Sequence, residues 1–265
     1  MKSIFIKIVL YLCVLPFSVL AQTGLKADEN SSEKEKIILK VAISEAGYFP
    51  FDYKENGEIK GFSVDVLNYF KANSKYDFKF ITLPWPRALY LVAQGKVDLI
   101  LTLFKTARRE QIYHFIDPSY GNEVNQLFTL VDNKFEFNGQ LQQLTPYSIG
   151  TIREYSYGDT FDRAKYLKKL PVLTEGVLLK LLIAKRIDIA ISNPLIFKNI
   201  ILKEKAESKV KAIEPYITVT PVYMALTRAR EDSQEIKKTL GQLTQQLKAS
   251  AYYQTLLNKY QLNFK

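Results

Sequence analysis

The sequence predicts an α/β fold built on parallel strand pairs. Short apolar, β-rich runs alternate with segments whose apolar residues recur at helical spacing, and that alternation implies strands joined by crossover helices. The punctuation agrees: Gly95 stands just past one such helix, Pro86 at its first position, and Asn193-Pro194 opens another. Length agrees too, since about 230 residues remain once a leader and a polar stretch are set aside, within reach of one large or two small domains.

The chain opens with MKSIFIKIVLYLCVLPFSVLA, where Lys2 and Lys7 precede an apolar run and Val19 and Ala21 hold the small-residue positions of a cleavage site. Residues 1–21 therefore read as a secretory signal peptide cut after Ala21. A retained membrane anchor is the alternative, but the apolar run is short for one. The only cysteine, Cys13, lies inside that run. The mature chain would hold no disulfide and no thiolate, as suits an exported protein that folds on core packing. Residues 22–36 are polar and charged, a tether with little to bury.

Ile37 to Ser44 is a β-rich opening strand, followed by the loop Gly47-Tyr48-Phe49-Pro50-Phe51. Asn56-Gly57 signals a hairpin turn. Phe62, Val66, Leu67 and Phe70 recur at helical spacing, predicting a helix over residues 63–72. A strand follows over 78–83, a helix over 86–94 and a buried strand over 97–103. Thr106 is a good N-cap, which puts Arg108 and Arg109 in a first helical turn. Cations there oppose the helix dipole, at about 0.3–1 kcal/mol each, so an arriving anion would suit them. The plainer reading is that both point into water, and it is preferred for Arg108. A short strand and a Pro-containing turn end this stretch. A second set comprises a strand over 126–131, a strand over 147–152, a helix over 177–184, a strand over 188–192 and the helix after Asn193. An apolar strand over 217–227 and helices over 231–248 and 251–260 close the chain. No internal repeat is visible.

Net charge is +10, or +8 once Lys2 and Lys7 are removed. The lysines are scattered, with no basic block and no RNA-binding aromatic motif, so a nucleic-acid partner is not expected. The balance expresses a weak bias towards anionic partners.

Three ordered pieces carry a resemblance: Gly95-Lys96-Val97-Asp98, then Thr106-Ala107-Arg108-Arg109, then Phe115-Ile116-Asp117-Pro118-Ser119-Tyr120. Pro50-Phe51, Asn56-Gly57 and Gly61-Phe62-Ser63-Val64-Asp65 precede them, and Tyr253 to Tyr260 follows. The chain resembles the bacterial solute-binding proteins of family 3, the polar amino-acid receptors of ABC transporters. The resemblance implies a type II periplasmic-binding-protein-like fold, two α/β lobes joined by two crossover strands that form a hinge, with the ligand in the cleft. Lobe 1 would comprise residues 37–127 and 221–265, and lobe 2 residues 128–220. It implies a monomer in the periplasm, a small carboxylate-bearing ligand, and a membrane permease or sensor as partner.

The same resemblance places the site. Arg109 matches the arginine that holds a ligand carboxylate, a task its planar guanidinium suits. Tyr48 matches an aromatic over the ligand, and the sole tryptophan, Trp85, would wall the cleft between two prolines. Its plainer reading, a cover on lobe 1, weighs about as much. Thr102 and Phe104 match ligand-contacting positions, Phe104 departing from the usual small hydroxyl residue. Glu154-Tyr155-Ser156 stands where a G-T-[ST] loop grips the carboxylate; the glycine is missing, and Arg153 could add a donor or pair with Glu154 or Asp159. Asn193 stands where the family has an aspartate for the α-ammonium. An amide holds a cation poorly, so a carboxylate lacking an ammonium becomes plausible; Glu45, Asp52 or Asp159 could supply a charge, none placed by a motif.

An enzyme is the competing class. His114, the only histidine, lies on a predicted strand and reads as packed. No Cys/His cluster suits a metal, and no nucleophile elbow, phosphate loop or dinucleotide motif is present. No catalytic residue, metal or cofactor is expected. Some proteins of this type are dehydratases, and Glu45 and Glu154 leave acid catalysis open but undirected.

Overall fold

The computed structural model describes residues 36–263. The predicted signal peptide and residues 22–35 of the predicted tether lie outside the described residues.

Two parallel strand sets form the ends of one sheet. In the first, β1 (Ile37–Ser44) lies between β4 (Tyr76–Leu83) and β5 (Leu99–Phe104), parallel to both. Between them come the hairpin β2 (Tyr53–Glu55) and β3 (Glu58–Lys60), then α1 (Phe62–Ala72), with α2 (Trp85–Ala93) after β4. The hairpin turns on Asn56 and Gly57, both with positive φ, as a two-residue primed turn requires. α2 begins one residue before Pro86, because Pro84 serves as the N-cap and Pro86 still falls where no intrahelical N–H bond is needed.

α3 (Ala107–Ile112) and β6 (Tyr113–Phe115) lead into β7 (Gly121–Leu130). The second set is β8 (Ser148–Ile152), α4 (Asp159–Arg163), β9 (Lys168–Val172), α5 (Glu175–Ile183), β10 (Ile189–Ser192) and α6 (Pro194–Lys203). β11 (Val210–Thr227) then returns to the first set, and α7 (Ser233–Lys248) and α8 (Ala251–Tyr260) pack there. The strand order is β4-β1-β5-β11-β7-β10-β8-β9. The antiparallel pair β7–β11 joins the two halves. Its ladder runs from Val210 to Ile213 against Leu130 to Leu127, shifts register, and resumes from Thr218 to Val222 against Asn125 to Gly121. Both joining strands begin earlier than the sequence predicts. The added residues include polar ones, Asn122, Glu123 and Asn125 in β7 and Lys211 in β11, which pair across the sheet.

Each half is covered on both faces, which is what parallel strands need. In β1, Leu39, Val41 and Ile43 pack under α1, α7 and α8, while Ala42 faces Ala88 and Val92 of α2. In the second half, Ile149 and Ile189 meet Phe161, and Phe128 and Ala190 meet Leu178 and Phe197 of the helices opposite.

The two halves repeat one device that the sequence does not display. Asp98 accepts from the Lys40 N–H (2.7 Å) and Asp188 from the Ser148 N–H (2.7 Å), each tying the strand that follows a helix to the half's first strand. Each aspartate's own N–H returns a bond to the same residue, Lys40 or Ser148. Asp98 also pairs with Arg230 at 3.0 Å. Both helix exits need a left-handed residue: Gly95 at φ 70 and Lys185 at φ 56.

Candidate functional site

The halves meet at the carboxyl ends of their parallel strands, where an open α/β sheet receives ligands. A cavity of about 30 Å³ lies there. Tyr48, Trp85, Thr102, Phe104 and Arg109 line it from the first half, and Tyr155 and Ser156 from the second. Asp52 and Glu123 complete the polar wall.

Thr102 presents its side chain by a local distortion. Its φ is 52, a left-handed conformation in a β-branched residue, and the β5–β11 ladder shifts register there. Bulges of this kind re-aim side chains beside binding sites. The Tyr120 hydroxyl holds the distortion: it accepts from the Thr102 N–H (3.0 Å) and bonds Thr102 Oγ1 and Ser63 Oγ, each at 2.8 Å.

Thr106 caps α3, its hydroxyl accepting from the Arg109 N–H at 3.3 Å. The Arg109 guanidinium donates to the Phe104 carbonyl (3.1 Å) and, across the cleft, to the Glu154 carbonyl (2.7 Å). Burial lowers its pKa, and no carboxylate lies within ion-pair distance among the described residues. Arg108 is 80% exposed and only 3.8 Å from Glu154. Trp85 Nε1 reaches the same Glu154 carbonyl at 3.5 Å. Glu154 sits at φ 64, so it takes up a left-handed conformation without the glycine's freedom.

Tyr155 enters the cleft edge-on to Tyr48 (5.8 Å between ring centroids) and to Trp85 (5.6 Å). Phe51 stacks on Tyr48 from behind, fully buried. The Ser156 hydroxyl is engaged by Asp162. Two predicted residues do not line the cavity. Arg153 is exposed in an outer groove with Arg163 and Lys169, and it pairs with neither Glu154 nor Asp159, because Arg108 and Arg163 hold those acids. Asn193 is buried and caps α6, its Oδ1 accepting from the Leu195 and Ile196 N–H groups at 2.8 and 3.4 Å.

Sequence reasoning misses Glu123 and Glu175. Glu123, on β7, is 3% exposed and accepts a short hydrogen bond from the Tyr48 hydroxyl. The Asn193 amide faces its carboxyl, yet Nδ2 falls outside hydrogen-bond geometry. Burial and then, more weakly, the Glu175 charge push Glu123 up to about 8. Glu175 begins α5, 3% exposed, with the Tyr155 hydroxyl against its carboxyl, and burial pushes it up to about 7. Asp52, 4% exposed, is pushed to about 7 by burial alone. Glu45 and Asp159 are exposed and away from the cavity. No local sequence signal points to Glu123, which stands in a polar stretch ahead of the predicted strand.

His114 lies outside the cavity beside Gln234. Among the described residues no group of His, Cys, Asp and Glu side chains could hold a metal ion, and no helix is long and apolar enough to cross a membrane.

Residues 39–263 match the family described as bacterial extracellular solute-binding proteins, family 3. A probable amino-acid-binding protein, YxeM of Bacillus subtilis (strain 168), is 32% identical over 120 residues, 44% of this chain and 44% of that protein, so less than half of the relative is matched. A histidine kinase sensor domain with similarity to periplasmic binding proteins superimposes with a TM-score of 0.75 at 16% identity, over 85% of this chain and 96% of that one. The arginine-, lysine-, histidine-binding protein ArtJ of Geobacillus stearothermophilus gives 0.68 at 19% identity, over 84% and 95%. At such identities these two likenesses bear on the fold alone, and the fold is the two-lobed periplasmic-binding-protein type.

Proposed function

The chain belongs to the bacterial extracellular solute-binding proteins of family 3, and from that membership we propose that it captures a small carboxylate-bearing solute, an amino acid or another organic anion, for an ABC-type transporter. One observation carries the reading: Arg109 stands half-buried beside the cavity, and its guanidinium is hydrogen-bonded only to carbonyl oxygens. A guanidinium held there without a counter-charge suits a carboxylate entering the cleft. On this reading residues 37–127 with 221–265 and residues 128–220 are lobes that hinge where β7 and β11 join them. Export by a signal peptide cut after Ala21 would deliver a monomer to the periplasm, where the solute is bound and released unchanged. The likeness to a histidine kinase sensor domain favours a second reading, in which the same closure signals to a membrane sensor.

Mass spectrometry of small molecules released from the purified protein would identify the solute. Calorimetry with that solute then tests Arg109. Arg109→Ala should weaken binding by about 2–5 kcal/mol, as loss of a desolvated charge pair does, whereas the exposed Arg108→Ala should change little. Equal small losses would remove Arg109 from the site, and multiple-turnover conversion of the solute would make the protein an enzyme.

A further inference from the structure

We propose that the outer groove beside Arg153 is a second anion subsite: the solute is elongated, and beyond the cavity it carries a further anionic group, carboxylate or phosphate, that Arg153 receives. The inference rests on the solute-binding reading above and deepens it by giving the solute a second anionic end.

The groove measures about 980 Å³ and is lined from both halves. Arg109, Tyr155 and Ser156 line both it and the cavity, so the two spaces adjoin. The Arg109 guanidinium marks the junction. It donates to the Phe104 carbonyl, of a residue lining the cavity, and to the Glu154 carbonyl, of a residue lining the groove. Arg153 directly precedes Glu154 in the chain. A solute anchored on Arg109 therefore has the groove, and Arg153 within it, next to its anchor.

Charge in the groove is unbalanced. Five cationic side chains line it against three carboxylates. Arg108 and Arg109 come from α3, and Arg153, Arg163 and Lys169 from the second half. The carboxylates are already engaged: Glu154 lies 3.8 Å from Arg108, Asp159 lies 2.8 Å from Arg163, and Asp162 accepts from the Ser156 hydroxyl and the Tyr157 N–H. Lys169 donates to the Phe161 and Asp162 carbonyls. Arg153 is left exposed, with no ion-pair partner among the described residues. Its planar fork suits two oxygens of a carboxylate or phosphate, and a cleft lined by one sign of charge concentrates the opposite ion. Leu89 and Tyr90 of α2, the latter 61% exposed, and Pro171 of β9 add apolar wall for a hydrocarbon stem.

Ligand-linked thermal shift tests this with three probe sets: the monocarboxylates butyrate, pentanoate and hexanoate; the dicarboxylates of equal carbon number, succinate, glutarate and adipate; and ω-phosphonopropionate with ω-phosphonobutyrate. The longer dianions should bind about threefold to fivefold tighter than the monocarboxylates, as an exposed ion pair gives. Arg153→Ala should abolish that advantage, Arg153→Lys should keep part of it, and added salt should shrink it. A merely structural role for Arg153 would instead weaken monocarboxylates and dianions alike. A gain confined to the dicarboxylates or to the phosphonates names the anionic group, and either upholds the subsite. Dianions that bind no tighter than monocarboxylates, or an advantage that survives Arg153→Ala, would overturn the subsite and leave the Arg109 reading standing. An advantage lost in Arg153→Ala, with monocarboxylate binding indifferent to Arg109→Ala, would keep the subsite and overturn the role of Arg109. Stabilisation by none of the probes would overturn the subsite, while calorimetry with the released solute still decides Arg109.

Discussion

Thr102 keeps a left-handed backbone, which costs about 1–3 kcal/mol in a non-glycine residue, because one hydroxyl answers three of the polar groups around it. Tyr120 bonds the Thr102 N–H, the Thr102 hydroxyl and the Ser63 hydroxyl inside a buried network. Tyr120→Phe leaves the Thr102 N–H without its partner and should destabilise the fold by about 1–3 kcal/mol. Urea unfolding at constant slope would read that loss; an unchanged midpoint would mean that the bulge holds itself. Tyr120 is legible in the sequence as the end of a motif, but its purpose is not, since nothing local announces a positive φ in a threonine. Glu123 is hidden for a related reason. It falls in a polar stretch that the predicted strand leaves out, where an acid reads as solvated. Glu175 reads as an ordinary first-turn acid, and only packing from the other elements of the cleft shows it to be buried.

Elements are legible where their signals are local. Asn56-Gly57, Thr106 and Asn193-Pro194 mark a hairpin turn and two helix starts that the structure has at those residues. β9 escapes notice because Lys168, Lys169 and Pro171 make it an edge strand without an apolar face. The repeat of the two halves is equally hidden. Its shared geometry at residues 95 and 185 is filled by a glycine in one half and a lysine in the other. Lys185 therefore carries a cost that Gly95 avoids. A left-handed non-glycine residue costs about 1–2 kcal/mol, against about 0.5–1 kcal/mol for glycine's greater loss of freedom on folding. Lys185→Gly also removes an exposed pair with Asp132 at 3.0 Å, worth about 0–1 kcal/mol. Thermal unfolding should show a net gain of about 0.5 kcal/mol; a clear loss would show that the Asp132 pair outweighs the backbone term.

At the scale of the molecule, Arg109 and Trp85 reach across to Glu154, and Tyr155 fills the space between Tyr48 and Trp85. The remaining cavity of about 30 Å³ is lined from both halves, and on the hinge reading a solute enters it with the halves apart. Folding buries Asp52, Glu123 and Glu175, and this makes stability pH-dependent. Glu123 at about 8, Glu175 at about 7 and Asp52 at about 7 stand above their ordinary 4.5, 4.5 and 3.8. The fold thus holds protons that an unfolded chain releases. With the unfolded chain binding fewer protons, stability falls as pH rises, being fully present below about pH 4 and lost through about pH 8. Asp77, Asp132 and Asp232 are held below 3.8 by lysine or arginine partners and act with the opposite sign, but only in more acidic solution. The ligand-free protein should therefore melt lower at about pH 8.5 than at about pH 5, and emission from the sole tryptophan, Trp85, should shift to the red as the cleft loosens. Glu123→Gln should flatten both profiles. A melting temperature that rises across this window in the ligand-free wild type would show that the three carboxyls are ionised in the native fold, and the account of their burial would fall.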